Sequence, residues 1–315
     1  GQTFRDFEFI IVDDGSTDRT ADILDAYARM DNRIKVLRNS MNRGLAASRN
    51  LGIGRSAGTY IALMDADDIC QADRLAIQAG FLDRNQAVYI VGSWASKIDS
   101  FGNPLGLWRL PKQDKLIRWH ILFRNSRIFC NPSVMLRSEV FRIAGLFNEN
   151  ILSYEDIELW TRIFPHQELM LFNIPKRLIN YRVHEKSTSF LARDEQLSGS
   201  QQIRTELLTD FLGKEVNRKA ISAYESGAEL EKVEIAGIVQ TWLAVYRKFC
   251  IVFSVNFFDR QQIYREVLSR ISGFVNIKGS ERKIRLKDLK NKLGFGDLFA
   301  VAITVIYSGI RNRHA

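Results

Sequence analysis

The chain has 315 residues and a formal net charge of +9, and 46% of its residues are hydrophobic while 26% are charged. This ordinary globular composition excludes a chain too polar to form a core and predicts one large domain, or a domain with an appendage. Cys70, Cys130 and Cys250 are odd in number and widely spaced, which argues against a disulfide framework or a structural zinc site. A reducing, cytoplasmic setting is therefore expected.

The two ends of the chain carry different signals. The chain begins without Met and without a basic and then apolar leader, so no signal peptide is visible and we interpret the start as truncated. Residues 259–315 contain 12 Lys and Arg against 5 Asp and Glu, and they include the nearly uncharged run 298–310, which is too short to span a bilayer. This basic tail predicts contact with the inner leaflet of a membrane, or a solvated charged face; no nucleic-acid partner is expected because no nucleic-acid motif is present.

Short apolar strands alternate with helical patterns over the first 93 residues. The expected strands are 7–12, 34–37, 60–64 and 87–92, and the expected helices are one capped by Thr17 or Asp18, one at 45–56 and one at 72–84. This alternation predicts an α/β fold with a mostly parallel sheet covered by helices on both faces. In such sheets ligands bind at the carboxyl ends of the strands.

The pattern becomes α+β after Trp94. Helices are expected at 112–123 and 155–164, and strands at 133–136, 169–173 and 178–183. The polar run 184–196 is typical of a loop or linker, and residues 201–291 are helix-rich. The predicted organisation is therefore one region at 1–190 and a helical region with a basic tail at 191–315.

Acidic residues follow two of the predicted strands. Asp13 and Asp14 end the first strand, and Asp65, Asp67 and Asp68 follow the strand at 60–64. Carboxylates beside the phosphates of a nucleoside diphosphate require a hard divalent cation between them, so the second cluster is a candidate metal site. Ordinary turn or helix-cap chemistry is the alternative for both clusters.

Three segments with these acidic residues resemble successive motifs of the family 2 glycosyltransferases. They are residues 9–20 (FIIVDDGSTDRT), 42–52 (NRGLAASRNLG) and 58–68 (GTYIALMDADD), and the resemblance continues to about residue 189. Each motif alone is common, but this order and spacing is specific. The resemblance implies the Rossmann-like GT-A fold, with a nucleotide-sugar-binding half at 1–93, an acceptor half at 94–190 and a helical C-terminal extension.

The resemblance implies roles for the acidic residues. Asp14, with Asp13 beside it, would contact the nucleobase, and Asp65 would contact the ribose or a metal-bound water. Asp67 would bind Mg²⁺ or Mn²⁺ on the diphosphate, with Asp65 as a further ligand candidate. Asp68 is a further candidate or a cap on the next helix, and Asp13 is a candidate turn residue.

The second motif is expected to line or shape the nucleotide side. Asn42, Arg43, Gly44 and Arg49 carry this implication. The alternative interpretation of Gly44 is a residue that starts a helix. The alternative interpretation of Arg49 is a surface residue that forms an ion pair.

An inverting transfer needs a carboxylate base across the donor pocket from the metal. The run YEDIELWTRI puts Glu155 and Asp156 at a helix start with an apolar face behind them. It resembles the family's ED motif, which implies Asp156 as the base with Glu155 beside it. Acids of a first turn are also favoured by the helix dipole alone, so this alternative remains open.

The stretch from Tyr181 to Ser189 resembles the family's YRxH…S segment. It implies that His184 reaches the diphosphate or the metal, for which a neutral or charged imidazole is suited. The residues around Asn131 resemble the strand beside the acceptor site. Trp94 and Trp108 are candidate platforms for sugar rings or core residues. His120 and His166 are expected to be structural or exposed.

The chain departs from the family pattern at its start. The family's first apolar strand and its Pro-x-Tyr-Asn-like turn are not in the sequence. The expected function is inverting transfer of a sugar from a UDP- or dTDP-sugar to a glycan or lipid-linked acceptor, in bacterial surface-polysaccharide biosynthesis. The alternative is a non-catalytic module that binds nucleotide or membrane within a glycan-assembly complex. The expected location is cytoplasmic or peripheral at the cytoplasmic membrane face.

Overall fold

The computed structural model describes residues 1–123, 128–185, 187, 192–226 and 232–274. The chain divides into two compact units. One consists of Gly1–Ile121 with Asn125–Ser200, and the other of Leu122–Arg124 with Gln201–Ala315.

The strands of the described residues all lie in the first unit. They are β1 (Phe9–Asp13), β2 (Ile34–Arg38), β3 (Tyr60–Ala62), β4 (Ile69–Cys70), β5 (Val88–Ile98), β6 (Pro104–Trp108), β7 (Met135–Arg137) and β8 (Met170–Arg182). β1 and β2 form a parallel pair. The other strands form a second sheet in the order β3-β7-β5-β8-β4, and β6 pairs with β5.

The second sheet is mixed. Its central pair, β5 and β8, is parallel and runs from Val88 opposite Met170 to Ile98 opposite Arg182. The pairs β3–β7, β5–β7, β4–β8 and β5–β6 are antiparallel. The expected α/β class is confirmed, and parallel pairing holds for β1–β2 and for the central pair. Antiparallel strands can be joined by a short turn instead of a long crossover connection, and β5 and β6 are joined in this way as a hairpin.

The helices follow the predicted alternation closely. They are α1 (Thr20–Met30), α2 (Leu45–Arg55), α3 (Arg74–Arg84), α4 (Asp114–Phe123), α5 (Val140–Ala144), α6 (Glu155–Ile163), α7 (Arg193–Leu212), α8 (Lys219–Ser226), α9 (Lys232–Val252) and α10 (Phe257–Phe274).

Several local expectations differ from the structure. The run 184–196, expected as a loop, includes the start of α7 at Arg193, and Arg19, not Thr17 or Asp18, is the N-cap of α1. The separate strands expected at 169–173 and 178–183 are one strand, β8, because its parallel pairing with β5 resumes after register shifts between Ser93 and Ala95 of β5. The strand expected at 87–92 extends to Ile98, because it continues into the β6 hairpin. α1 buries none of its residues, and Ile23 and Tyr27 of its apolar stripe are exposed.

One core cluster of the first unit joins α3 to the second sheet. Ala79 and Leu82 of α3 pack with Val88, Val91 and Met135 of the central strands in one buried cluster. Burial of these side chains stabilises the sheet and fixes the ends of its strands.

The second unit is helical, as expected for residues beyond 201. Trp242 of α9 is fully buried and donates from Nε1 to Ala220 O of α8 at 2.8 Å. Residues 234–252 of α9 are long and apolar enough to cross a membrane, and half of them are buried within the protein. A buried core helix passes the same test, so length and composition assign no span. Of the basic tail at 259–315, residues 275–315, which include the nearly uncharged run 298–310, lie outside the described residues.

Candidate active site

The first acidic pair ends β1 and shapes the turn that follows. The Asp13 carboxylate is buried and accepts a hydrogen bond from Ser16 N at 3.0 Å, and it lies 3.9 Å from Arg38 Nε. The hydrogen bond from Ser16, with Arg38 nearby, holds the pKa of Asp13 below its usual value. Asp13 therefore makes the contacts of a turn residue.

Asp14 holds the loop of the second motif. Its Oδ1 accepts from Asn39 Nδ2 at 2.7 Å and from Arg43 N at 3.0 Å, and its Oδ2 accepts from Gly44 N at 2.9 Å. Burial alone would raise the pKa of Asp14, but these hydrogen bonds more than offset it and leave the pKa lowered. The predicted residues Asp14, Arg43 and Gly44 are thus brought together.

Two glycines permit this approach. Gly15 has φ +79°, and a Cβ there would lie 2.8 Å from Met41 C and 2.9 Å from Asn42 N. Gly44 has φ +89° and directly precedes α2, which confirms it as a helix-entry residue with a second role on Asp14. Asn42 is exposed, and its Oδ1 accepts from Gly44 N at 3.0 Å.

Arg49 joins three segments of the first unit. Its Nη2 donates to Asp65 Oδ1 at 2.9 Å, and its Nη1 donates to Glu155 Oε1 at 2.5 Å. With the Asn131 amide oriented so that its oxygen faces the guanidinium, that oxygen accepts from both Arg49 Nη atoms at 3.1 Å. The Arg49 side chain is only 10% exposed, so it is an interior bridge and not the surface ion-pair partner of the alternative.

Glu155 and Asp156 begin α6, as predicted. Leu159, Trp160 and Ile163 of the same helix are buried and fix its orientation. Glu155 is buried, while Asp156 is half-buried and its Oδ1 accepts from Ile157 N at 2.8 Å. Desolvation by burial raises the pKa of both carboxyl groups, and for Glu155 the neighbouring charge of Asp156 adds to the shift.

The second acidic cluster meets the end of β8. His184 Nε2 lies 2.9 Å from Asp67 Oδ2, and the Asp67 side chain is 41% exposed. Asp68 is buried, and its Oδ1 accepts from Arg182 N at 2.7 Å, so it does not cap the next helix, which starts at Arg74. Desolvation raises the pKa of Asp68 to about 7.

Arg182 fixes the position of this cluster. Its Nε donates to Asp67 O at 2.8 Å, and its Nη1 donates to Asp99 O and Ser100 O at 3.0 Å. The guanidinium therefore ties the acidic loop to the turn between β5 and β6. Ser187 donates from Oγ to His184 O at 2.9 Å, and Ser189 lies outside the described residues.

Of the metal-ligand candidates Asp65, Asp67 and His184, the structure brings Asp67 and His184 together. His184 Nε2 and Asp67 Oδ2 lie 2.9 Å apart, whereas Asp65 Oδ1 accepts a hydrogen bond from Arg49 Nη2. Among the described residues no group of three His, Cys, Asp or Glu is arranged to hold a metal. Mg²⁺ is usually held by one or two carboxylates with waters and substrate phosphates, so the Asp67 carboxylate suits a cation that also binds a diphosphate. A neutral imidazole is a common metal ligand, so His184 could add a nitrogen ligand.

Sequence reasoning missed Asn50. It is buried on α2, donates from Nδ2 to Phe147 O at 2.8 Å, and accepts from Phe147 N at 3.0 Å through Oδ1. It thus holds the chain that leads into α6. The available signal was its position directly after Arg49 in the motif. Adjacent residues on a helix point in different directions, so Asn50 had to have a partner other than those of Arg49.

The other predicted residues make structural contacts. Trp94 donates from Nε1 to Leu110 O at 2.9 Å, and Trp108 packs edge-on against Tyr181 at 5.4 Å. His120 is buried, and His166 Nδ1 lies 2.9 Å from Glu168 Oε1. The residues around Asn131 form a short 3₁₀ turn before β7.

Comparison with known proteins identifies the family. Residues 1–143 match the family described as Glycosyl transferase family 2. An uncharacterized glycosyltransferase of Haemophilus influenzae is 31% identical over 222 residues, which cover 68% of this chain and 68% of that protein. The uncharacterized glycosyltransferase MJ1057 of Methanocaldococcus jannaschii is 31% identical over 193 residues, covering 61% of this chain and 65% of that protein.

Solved structures support the fold independently. S. aureus TarS 1–349 in complex with UDP has a TM-score of 0.51 at 17% identity, over 96% of this chain and 83% of that one. The complex of the same fragment with UDP-GlcNAc gives a TM-score of 0.51 at 15% identity. The solved structures share the fold, and the family match and the 31% identical relative show that the chain belongs to glycosyltransferase family 2 and is a glycosyltransferase.

Proposed function

We propose that the first compact unit transfers a hexosyl or N-acetylhexosaminyl group, with inversion, from a nucleoside-diphosphate sugar to a glycan or lipid-linked acceptor. One observation carries the proposal. Arg49 donates to Asp65 and to Glu155. One guanidinium therefore links the acidic loop that contains Asp67 to the start of α6, which contains Asp156.

The donor side is assigned to the β1 turn and the start of α2. Asp14 orders the loop at Arg43 and Gly44, where the N-terminus of α2 favours a negatively charged ligand. The TarS fragment, which shares the fold, has been solved with UDP and UDP-GlcNAc. UDP-sugars are therefore the first donors to test, with dTDP-sugars next.

Asp67 and His184 would hold a divalent cation such as Mg²⁺ or Mn²⁺. Bound there, the cation would balance the charge of the diphosphate leaving group. Because the Asp67 carboxylate is exposed, phosphate oxygens and water would have access to a cation bound there. Arg182 keeps the Asp67 main chain in place by its hydrogen bond to Asp67 O.

Asp156 is assigned as the general base. The acceptor hydroxyl oxygen forms a bond to the anomeric carbon while the bond from that carbon to the diphosphate oxygen breaks, and the hydroxyl proton passes to the Asp156 carboxylate. The raised pKa of Asp156 favours this step, because a base is most effective when its pKa approaches the working pH. Glu155 is held by Arg49 and acts as a positioning residue.

Surface-polysaccharide or glycolipid assembly at the cytoplasmic face of a membrane is the proposed setting. All three cysteines are unpaired, which agrees with a reducing compartment.

The transfer assay tests the proposal. We expect the protein with UDP-sugars to release UDP and transfer sugar when Mn²⁺ or Mg²⁺ is present, and to stop when the cation is chelated. The product's anomeric configuration, read by proton NMR, should be opposite to that of the donor. Product of retained configuration, or transfer that is unaffected by chelation, would contradict the proposed chemistry.

A further inference from the structure

The turn between α9 and α10 brings two helix ends together in the second unit. α9 ends at Val252 and α10 begins at Phe257, so both helices present their ends on the same side. Phe253 N donates to Phe249 O at 3.0 Å, Val255 N donates to Cys250 O at 3.1 Å, and Ser254 has φ +47°. This tight reversal leaves a defined corner.

Large apolar side chains at this corner face outward. Ile251 is 76% exposed, Phe257 is 68% exposed and Phe258 is 82% exposed. The two phenyl rings lie 5.8 Å apart, edge to face. The two rings line a pocket with a volume of about 490 Å³, together with Gln261, Gln262 and Arg265.

These rings do not belong to the core that the two helices share. Ile263, Val267 and Ile271 of α10 are fully buried, so the inward side of that helix is occupied by other residues. Asn256 and Asp259 hold the start of α10, since Asp259 N donates to Asn256 Oδ1 at 2.9 Å. The local structure therefore fixes Phe257 and Phe258 on the outer side.

The chain segment that carries the rings exposes charges of one sign. In residues 247–266 the exposed charged side chains are Arg247, Lys248, Arg260 and Arg265. Neither acid of this segment is fully exposed: Asp259 is buried and accepts from Asn256 Nδ2 at 2.8 Å, and Glu266 is half-buried. We call the set Ile251, Phe257, Phe258, Lys248, Arg260 and Arg265 the basic aromatic corner.

We propose that the basic aromatic corner docks onto a bilayer that contains anionic phospholipid. Aromatic rings bury readily at the boundary between headgroups and acyl chains, while Lys and Arg bind the anionic headgroups beside them. A second copy of the chain is a poorer partner, because an isologous contact would set the same cations against each other. The inference goes beyond sugar transfer, and its test needs no catalytic activity.

Vesicle co-sedimentation of the full chain tests this surface. The vesicles are phosphatidylcholine with or without phosphatidylglycerol, and the variant is Phe257→Ser with Phe258→Ser. Because this variant removes the two rings that would be buried in the membrane, it should bind the anionic vesicles roughly 30-fold more weakly, or weaker still. Phe101→Ser with Leu105→Ser is the matched control, because these residues are 90% and 56% exposed in the first unit.

A charge variant gives an independent readout. Arg260→Gln with Arg265→Gln should weaken binding to anionic vesicles and reduce its dependence on salt, while Phe257 and Phe258 remain. Thermal unfolding checks that each variant is folded. The proposal is overturned if wild-type protein does not bind anionic vesicles, or if both corner variants bind as the wild type and the control do. It is also overturned if the protein is a dimer that the Phe variant converts to a monomer, since a second copy would then cover the corner.

Discussion

Arg49 and Glu155 lie 106 residues apart in sequence, and Nη1 of the guanidinium donates to Oε1 of the carboxylate at 2.5 Å. The same guanidinium donates to Asp65, so α2 links the acidic loop after β3 to the start of α6. Two carboxylates would repel each other across this gap without the shared cation. The pair therefore sets the spacing between the expected metal side and the expected base side.

Replacing Arg49 should cost both stability and turnover. Arg49→Gln leaves Glu155 buried without its cation, for which the expected loss is about 3–5 kcal/mol in the free energy of unfolding. Urea denaturation measures this loss. Arg49→Lys should recover part of the stability but little of the turnover, because a single ammonium cannot donate to two carboxylates in the same fork geometry.

Arg142→Gln is the control for Arg49. Arg142 is paired with Glu139 at 3.3 Å, but its side chain is 77% exposed. Its removal should change the free energy of unfolding by no more than about 0.5 kcal/mol. Equal effects at the two positions would contradict the bridging role of Arg49.

Asp68 should make stability depend on pH. Its pKa is raised to about 7 by desolvation, so the folded state favours the protonated form. This contribution is complete below the pKa of the unfolded chain and is lost as pH rises through about 7. Asp68→Asn keeps an oxygen for Arg182 N and removes the charge, so its stability relative to wild type should increase between pH 4 and pH 8, by on the order of 1 kcal/mol or more.

Urea unfolding across this pH range, with chelator present, measures the effect of Asp68→Asn. Asp22→Asn is the matched control, since Asp22 is exposed in the first turn of α1. A constant difference between Asp68→Asn and wild type over the whole range would contradict the shifted pKa.

Gly15 should tolerate no side chain. Gly15→Ala places a Cβ 2.8 Å from Met41 C and forces an L residue to φ +79°. Gly44→Ala meets no atom within 4 Å but keeps the strained φ of +89°. Gly44→Ala should therefore cost about 1–2 kcal/mol and Gly15→Ala more, as measured by thermal or urea unfolding. A smaller cost at Gly15 would show that the two loops do not pack as described.

Cation-dependent nucleotide binding should need both Asp67 and His184. Titration calorimetry with UDP and Mn²⁺ should show a large loss of affinity for Asp67→Ala and a smaller one, on the order of 10-fold, for His184→Ala. His166→Ala is the control, because His166 pairs with Glu168 away from this cluster. The same UDP affinity with and without Mn²⁺ in wild type would contradict the assigned pair.

Much of the first unit was predictable from local pattern. The end of β1 and the starts of β3, α2 and α6 follow from apolar periodicity, turn residues and first-turn acids, which act over a few residues. Parallel or antiparallel pairing was not predictable, because it depends on which strands become neighbours. The continuity of β8 was missed for the same reason, since it depends on pairing with β5 on both sides of a register shift.

The site was predictable as a set of residues but not as a set of contacts. The motifs named Arg49, Asp65 and Glu155, yet no local periodicity relates residues so far apart in the chain. The sequence alone also allowed Asp68 to be a helix cap, whereas in the structure its carboxylate accepts a hydrogen bond from Arg182 N. Partners that come from distant strands are fixed by the tertiary fold alone.

The central claim is that Asp67 serves the donor while Asp156 takes the proton, and one paired measurement tests it most directly. Donor affinity and turnover are measured for Asp156→Asn and Asp67→Ala with a UDP-sugar and Mn²⁺. We predict that Asp156→Asn binds the donor nearly as wild type and loses turnover by at least about 100-fold, whereas Asp67→Ala loses cation-dependent donor binding. Full turnover in Asp156→Asn would contradict the account.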